Sequence, residues 1–503
     1  MSIQASSRTP PTPQSTQLIS TGIAGLDRLL TGGLTSKRLY LIEGRPGTGK
    51  TTLGLQFLLE GLRRSEKCLY VTLSETGAEL QAIANSHGWS LARMQVFQMP
   101  TLNNAKAEDQ YTLYHPSEVE LGETMEAVLS RMDQVRPSRV VFDSLSEMRL
   151  LARDPLRYRR QILELKGCFS ERECTALLLD DHSAGENDLQ LESLSHGVIL
   201  LEQLPYEYGR TRRRLRVVKM RGMSVIEGFH DFALRRGGLT VYPQLQFVPS
   251  AEQERTTIRS GLPELDELLG GGIQTGTTTL VIGPAGTGKS TLCGQYVTAG
   301  DLKTSIYLFE ERQKTYIDRC DALGMHLADR VSSGQVIVEQ IEPGTLSPGE
   351  FSSRIQRSVE EGGVKIVVID SLSGYLNAIP QVNAPLARMH ELVSNLNDSG
   401  VATLMVVAQH GVIGPMEAPL DVSYLSDCLV MLRFFEAAGE VRRAISVVKK
   451  RTGPHEATIR ELRIGPNRLH VGNALTEFEG VLTGVPRYIG TPGPLLTDDR
   501  TKQ

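Results

Sequence analysis

Two stretches of this chain place the residue types that phosphate chemistry requires at the spacing it requires. Gly283-Pro284-Ala285-Gly286-Thr287-Gly288-Lys289-Ser290 reads G-x-x-x-x-G-K-S, and Gly44-Arg45-Pro46-Gly47-Thr48-Gly49-Lys50-Thr51 reads G-x-x-x-x-G-K-T. In such loops the glycines let the backbone curl, so that successive N–H groups point at phosphate oxygens. The helix that follows adds the positive end of its dipole. The expected ATP contacts are Gly47, Thr48, Gly49, Lys50, Thr51 and Thr52 in one copy, and Gly286, Thr287, Gly288, Lys289, Ser290 and Thr291 in the other. Lys50 and Lys289 are expected to bridge the outer phosphates, and the Thr51 and Ser290 hydroxyls to ligate Mg²⁺. A Gly-rich structural turn would explain one such match, but not two in register.

Carboxylates and cations recur around both loops. The apolar runs Val140-Val141-Phe142 and Ile366-Val367-Val368-Ile369 end in Asp143 and Asp370, where a carboxylate suits the surroundings of Mg²⁺. Strand-end Asp is also a common turn residue. Ile306-Tyr307-Leu308-Phe309 ends in Glu310-Glu311, whose side chains must point to opposite sides. One of that pair can order the attacking group while the other holds a cation. The first copy has Ser74-Glu75 there, so the carboxylate matching Glu310 is missing. Lys219-Met220-Arg221 and Lys449-Lys450-Arg451 repeat a K-x-R spacing. The run Arg212–Arg216 upstream of the first is open to three readings: cations reaching a neighbour's phosphates, a nucleic-acid stripe, or a solvated edge strand.

These residues need strands to carry them. Thr279-Leu280-Val281-Ile282 and Leu39-Tyr40-Leu41-Ile42 precede the two loops, and helix-competent segments follow. Asp27 and Asp266, in matching Gly- and Leu-rich segments, lie 239 positions apart (266 − 27), the same shift as Lys50 to Lys289 (289 − 50). Such agreement is the mark of an internal duplication. Strands alternating with helices predict an α/β fold, two tandem P-loop domains with mostly parallel sheets. The expected division is a disordered Ser/Thr/Pro/Gln arm over 1–17, a first domain over 18–247 and a linker over 248–257. A second domain over 258–490 and a flexible tail over 491–503 complete it.

Composition excludes several classes. At 503 residues the chain exceeds one compact core. Net charge is −4 with a pI near 6.3, so bulk electrostatics do not favour nucleic acid or anionic membrane. No apolar run reaches membrane-spanning length, and the N-terminus lacks signal-peptide character. The six cysteines are scattered without metal-ligand spacing, which fits a reduced cytoplasmic setting.

Taken together, the paired P-loops, Glu310-Glu311, the two K-x-R motifs and Gly439-Glu440-Val441-Arg442-Arg443-Ala444-Ile445-Ser446-Val447 resemble the KaiC family, the duplicated RecA-like ATPases and autokinases of circadian clocks. The resemblance runs from about Gln17 to Gly490. It implies two RecA-like domains, a two-tiered homohexamer with ATP and Mg²⁺ at subunit interfaces, slow hydrolysis in the N-terminal ring and autophosphorylation in the C-terminal ring. It further implies that Lys219, Met220 and Arg221, and Lys449 and Arg451, reach a neighbour's ATP. Glu310 would contact Mg²⁺, Glu311 would be the base for phosphoryl transfer, and Glu75 would serve hydrolysis at the first site. The family's Ser-Thr acceptor pair falls on Ser423-Tyr424: Ser423 is the expected phosphoacceptor, and Tyr424 departs from the pattern. The tail after Gly490 is short and Pro-rich, unlike the family's KaiA-binding segment. KaiA dependence is therefore not expected, which points to a bacterial, non-cyanobacterial homologue outside a full oscillator and leaves room for a KaiB-like partner. The resulting expectation is an ATPase and Ser/Thr autokinase acting as a signalling or timing switch. The alternatives are a RecA- or DnaB-like DNA-dependent ATPase, and a nucleotide-gated scaffold with weak catalysis.

Overall fold

A computed structural model describes residues 17–98, 116–152, 154–181, 189–205, 209–245, 254–342, 344–378, 385–409, 422–437, 439–465, 468–482 and 485–490. The expected arm, apart from Gln17, and the expected tail lie outside the described residues. The chain divides into two compact units, the first ending at Gln244 and the second running on from Leu245, and Thr257, at the end of the expected linker, opens a short strand.

Each unit is built on a nine-stranded sheet. In the first, β1 (Leu39–Gly44) leads through the P-loop into α1 (Lys50–Arg63), followed by β2 (Cys68–Thr72), α2 (Gly77–His87) and β3 (Gln95–Gln98). Then come α3 (Pro116–Val135), β4 (Arg139–Asp143), α4 (Pro155–Glu171), β5 (Thr175–Asp181), β6 (Gly197–Leu204), β7 (Arg212–Met220), β8 (His230–Arg235) and β9 (Gly238–Tyr242). The strand order is β9-β8-β7-β6-β1-β5-β4-β2-β3. The pairings from β3 to β6 are parallel and those among β6, β7, β8 and β9 antiparallel.

The central strands are continuous apolar runs because both faces are covered. Every residue of β1, β2 and β4 is buried. One face packs Ile42, Val141 and Leu179 against α1 residues such as Leu53 and Phe57. The other packs Leu41, Val140 and Leu178 against Met132 of α3 and Ile162 of α4. Placing the P-loop strand in mid-sheet fixes the loop at the carboxyl edge, where α/β folds bind ligands.

The second unit repeats the plan. Its elements are β10 (Thr278–Gly283), α5 (Lys289–Ala299), β11 (Thr304–Leu308), α6 (Gln313–Ala322), β12 (Val336–Gln340), α7 (Pro348–Glu360), β13 (Ile366–Asp370) and α8 (Pro385–Asp398). The sheet is completed by β14 (Ala402–Ala408), β15 (Cys428–Ala437), β16 (Glu440–Lys450), β17 (Ile459–Gly465) and β18 (Arg468–Ala474), in the order β12-β11-β13-β14-β10-β15-β16-β17-β18. Register pairs identify equivalents. Thr72 opposes Asp143 as Leu308 opposes Asp370, which makes Ser74 the counterpart of Glu310 and Glu75 that of Glu311. Among the described residues, no helix is long and apolar enough to cross a membrane.

Candidate nucleotide sites

Both P-loops end on a glycine in the left-handed region, Gly49 at φ 106° and Gly288 at φ 100°, which caps the following helix. That conformation costs little only for a residue without a Cβ, and it aims the first free N–H groups of α1 and α5 into the loop. The Thr48 hydroxyl donates to Arg45 O at 2.8 Å and the Thr287 hydroxyl to Pro284 O at 2.9 Å, closing each loop on itself.

In the first site the Lys50 ammonium donates to Gly44 O at 2.7 Å and pairs with Asp181 Oδ1 at 2.6 Å. The Thr51 hydroxyl donates to Asp143 Oδ2 at 3.1 Å, and the buried Tyr70 hydroxyl donates to the same oxygen at 2.6 Å. Burial pushes the Asp143 carboxyl above the usual carboxylate range, and the Tyr70 and Thr51 hydrogen bonds pull it back. Glu75 is also raised, by burial first and then by the charges of Glu79 and Asp143. Thr52 Oγ1 lies 3.4 Å from His87 Nε2.

The second site is furnished differently. Lys289 donates to Pro284 O at 2.7 Å, and burial lowers its pKa while Asp370 and Glu310 raise it. Asp370 is pushed up by burial and held back by a hydrogen bond from Ser290. The adjacent glutamates diverge. Glu310 Oε2 accepts from the Ser371 hydroxyl at 3.0 Å, while Glu311 pairs with Arg319 at 2.6 Å. Arg319 also donates to Thr291 Oγ1 at 3.2 Å. A cavity of about 360 Å³ opens beside the loop, lined by Gly286, Gly288, Thr291, Arg319, Leu323 and Ile464 among others.

The residues fit Mg²⁺ at this position. Asp370 Oδ2 is buried without a hydrogen-bond partner, a cost that a bound cation or its water would remove. Ser290 with Asp370 and Glu310, and Thr51 with Asp143, form the oxygen donor sets on which the ion would sit.

The K-x-R cations stand at the other end of the sheets. Val198 opposes Lys219 and Gly197 opposes Met220, while Gly197 in turn aligns with Tyr40. Val198 aligns with Leu41, three positions before Gly44, so Lys219 sits roughly 10 Å down the sheet from its own P-loop. In both units a β-bulge precedes the motif. Val217 and Lys219 oppose Ile199 and Val198, leaving Val218 extra, and Val447 and Lys449 oppose Val430 and Leu429, leaving Val448 extra. The extra residue shifts the alternation, so the motif residues face differently from what an unbroken strand would give. The Lys219 and Arg221 side chains donate to the carbonyl of Ser193, Arg221 at 2.8 Å. Lys449 donates to Ser423 O at 2.8 Å and Ser426 O at 2.7 Å, and Arg451 lies 3.8 Å from Asp427. Ser423 therefore shares an edge with the K-x-R cations, away from its own P-loop.

Three features escaped the residue patterns. Asp181 ends β5 as Asp143 ends β4, and the same strand-end logic would have singled it out. Arg443 Nε donates to the P-loop carbonyl of Gly286 at 3.2 Å, a contact visible only once β16 lies beside the loop. Arg319 is eight residues past Glu311, on α6, and its role depends on how that helix packs. The Arg212–Arg216 run is not an edge strand, because β7 lies between β6 and β8. Arg214 pairs with Glu202 at 2.6 Å and stacks 3.8 Å above the Phe229 ring, and Arg212 pairs with Asp231. The charges of Arg212 and Arg214 are thus compensated within the unit.

The sequence family model for the KaiC ATPase matches the chain twice, over residues 19–246 and 258–476. The chain belongs to the KaiC family. Similar relatives include a circadian clock protein KaiC3 of Synechocystis, 24% identical over 479 residues and covering 93% of this chain and 94% of the relative. The circadian clock oscillator protein KaiC of Synechococcus elongatus is 25% identical over 492 residues, covering 93% and 92%. That of Parathermosynechococcus lividus is 24% identical over 491 residues, covering 93% and 88%. Family membership accounts for the duplicated ATPase plan, with one nucleotide site built into each unit.

Proposed function

We propose that the protein is an Mg²⁺-dependent ATPase and serine autokinase that works as a homohexameric signalling or timing switch, with phosphoryl transfer at the second site and hydrolysis at the first. The observation that carries this reading is the placement of Ser423 with Lys449 and Arg451 at the sheet edge away from the chain's own P-loop. An acceptor and cations so placed suit the nucleotide held by a neighbouring copy. Mg²⁺, when bound, would neutralise charge on the transferring phosphoryl group. Lys289 grips the outer phosphates, Ser290 and Glu310 would hold the ion, and Glu311 takes the acceptor's proton once Arg319 releases it. At the first site Glu75, raised by burial, takes the proton of the attacking water. Relatives named for circadian clocks support the timing role, and a KaiB-like partner fits it.

The test is to incubate the protein with Mg-ATP and map phosphate by mass spectrometry, beside Lys289→Ala and Ser423→Ala. The two variants are each silent alone and recover label on residues 421–427 when mixed, if transfer runs between copies. Absence of a phosphopeptide from wild type rejects the kinase assignment.

A further inference from the structure

The two P-loop lysines meet different neighbours, and the difference lies on one register position. Gly44 of β1 aligns with Asp181 of β5, and Gly283 of β10 aligns with Ala408 of β14. The first site thus carries a carboxylate where the second carries a methyl group. That carboxylate is 2.6 Å from Lys50 Nζ. Lys50 is only 8% exposed while Asp181 is 41% exposed, so the ion pair lies at the mouth of the loop, with the carboxylate on the solvent side. The same unit lacks a carboxylate at Ser74, where the second has Glu310. The first site has lost one negative charge on the β2 side and gained one on the β5 side.

We propose that Asp181 is an internal competitor for the P-loop lysine, an affinity-setting residue that nucleotide phosphates must displace at the first site alone. This rests on the nucleotide reading of that site. An outer phosphate needs the Lys50 ammonium, which Asp181 already holds. Binding therefore requires the pair to open, and apparent affinity falls by the fraction of time it is closed. Once displaced, the carboxylate faces phosphate charge of its own sign across a few ångströms, which opposes retention further. Hydrolysis products are released more readily from such a site, and the first unit is tuned for exchange. The second unit, with Ala408, leaves Lys289 to the nucleotide. Asp181 acts here by holding Lys50, as a positioning residue, and no chemical step is assigned to it.

The test uses the full chain carrying Lys289→Ala, so that only the first site binds, with a fluorescent ATP analogue titrated into it. Asp181→Asn and Asp181→Ala should each tighten binding roughly fivefold, the scale of a partly exposed ion pair. AMP, whose single phosphate does not reach the lysine, should bind unchanged. The reciprocal variant Ala408→Asp, in a chain carrying Lys50→Ala, should weaken the second site by a similar factor. Unchanged or weaker ATP binding in both Asp181 variants overturns the proposal. So does a more than tenfold loss of turnover at unchanged affinity, which would mark a group acting on the reacting atoms. Loss of all binding in both single-lysine backgrounds would sink the nucleotide reading itself, whereas retained binding with unaltered affinity sinks only the competitor role.

Discussion

Tyr70→Phe removes one hydroxyl and no packing volume, from a side chain with no solvent exposure. That hydroxyl donates to Asp143 Oδ2 at 2.6 Å, in competition with nothing but the Thr51 hydroxyl at 3.1 Å on the same oxygen. A hydrogen bond to an ionised carboxylate contributes about 1.5–3 kcal/mol, against about 1 kcal/mol for a neutral pair. Thr51 remains after the substitution, so a cost of about 2 kcal/mol is expected when Asp143 is ionised. The sign with pH follows. Burial raises the folded-state pKa of Asp143, so its contribution to stability is full below the unfolded value and is lost as pH rises through the folded value. Tyr70 limits that loss by lowering the folded pKa. Its removal raises the pKa further and makes the loss larger, so the Tyr70→Phe penalty grows as pH rises from the unfolded carboxylate value through the folded one. The chain offers a selective probe. Trp89 is its single tryptophan, packed on the core of the first unit 4.7 Å from the His87 ring. Urea unfolding followed by Trp89 fluorescence therefore reads the first unit alone. A penalty below about 0.5 kcal/mol, or one that shrinks with rising pH, would refute the assigned bond. An Asp143→Asn background should reduce the penalty to about 1 kcal/mol, since the bond is then neutral.

Ser74→Glu places a carboxylate where Glu310 stands in the second unit and should raise first-site turnover in a Lys289→Ala chain; unchanged steady-state hydrolysis would show that Ser74 is not limiting. Ala at Gly49 or Gly288 demands a left-handed backbone, at about 1–2 kcal/mol. At Gly288 the new Cβ also meets Ile464 Cδ1 at 2.6 Å, against 3.6 Å to Leu234 at Gly49. Gly288→Ala should therefore weaken ATP binding at its site more than Gly49→Ala does, as measured by isothermal titration in single-site chains. Arg319→Ala removes the guanidinium that holds Glu311 at 2.6 Å and should speed Ser423 labelling, because the carboxylate no longer has to be released; a labelling rate that does not rise would argue against Glu311 as the base.

Much of the fold was legible because duplication doubled every signal. The apolar runs before the P-loops became mid-sheet strands; Asp143 and Asp370 fell at matching strand ends, yet not on the strands beside the P-loop strands, since β5 and β14 stand between. Local chemistry was enough there, since loop conformation follows from glycine placement and strand burial from continuous apolar residues. The Arg212–Arg216 run was harder. Its charge is plain in the sequence, but Asp231 and Glu202, which pair with Arg212 and Arg214, and Phe229, on which Arg214 and Arg216 stack, come from other segments. The K-x-R motifs were legible as a repeat, while the bulges at Val218 and Val448 that aim them arise only when strands pair.

By itself, the sequence determined that there are two nucleotide loops, which hydroxyls and lysines they carry, and that Ser74 breaks the symmetry of the carboxylates. Those are properties of residue type and short-range spacing. The tertiary structure alone decided what each candidate site group faces. Lys50 meets Asp181 from 131 positions away, Glu311 turns to Arg319 while Glu310 turns to Ser371, and Ser423 lies with Lys449 at the edge away from its own loop. Such pairings are set by sheet order and register. A single residue at one register position, Asp181 or Ala408, changes what the P-loop lysine shared by both units meets.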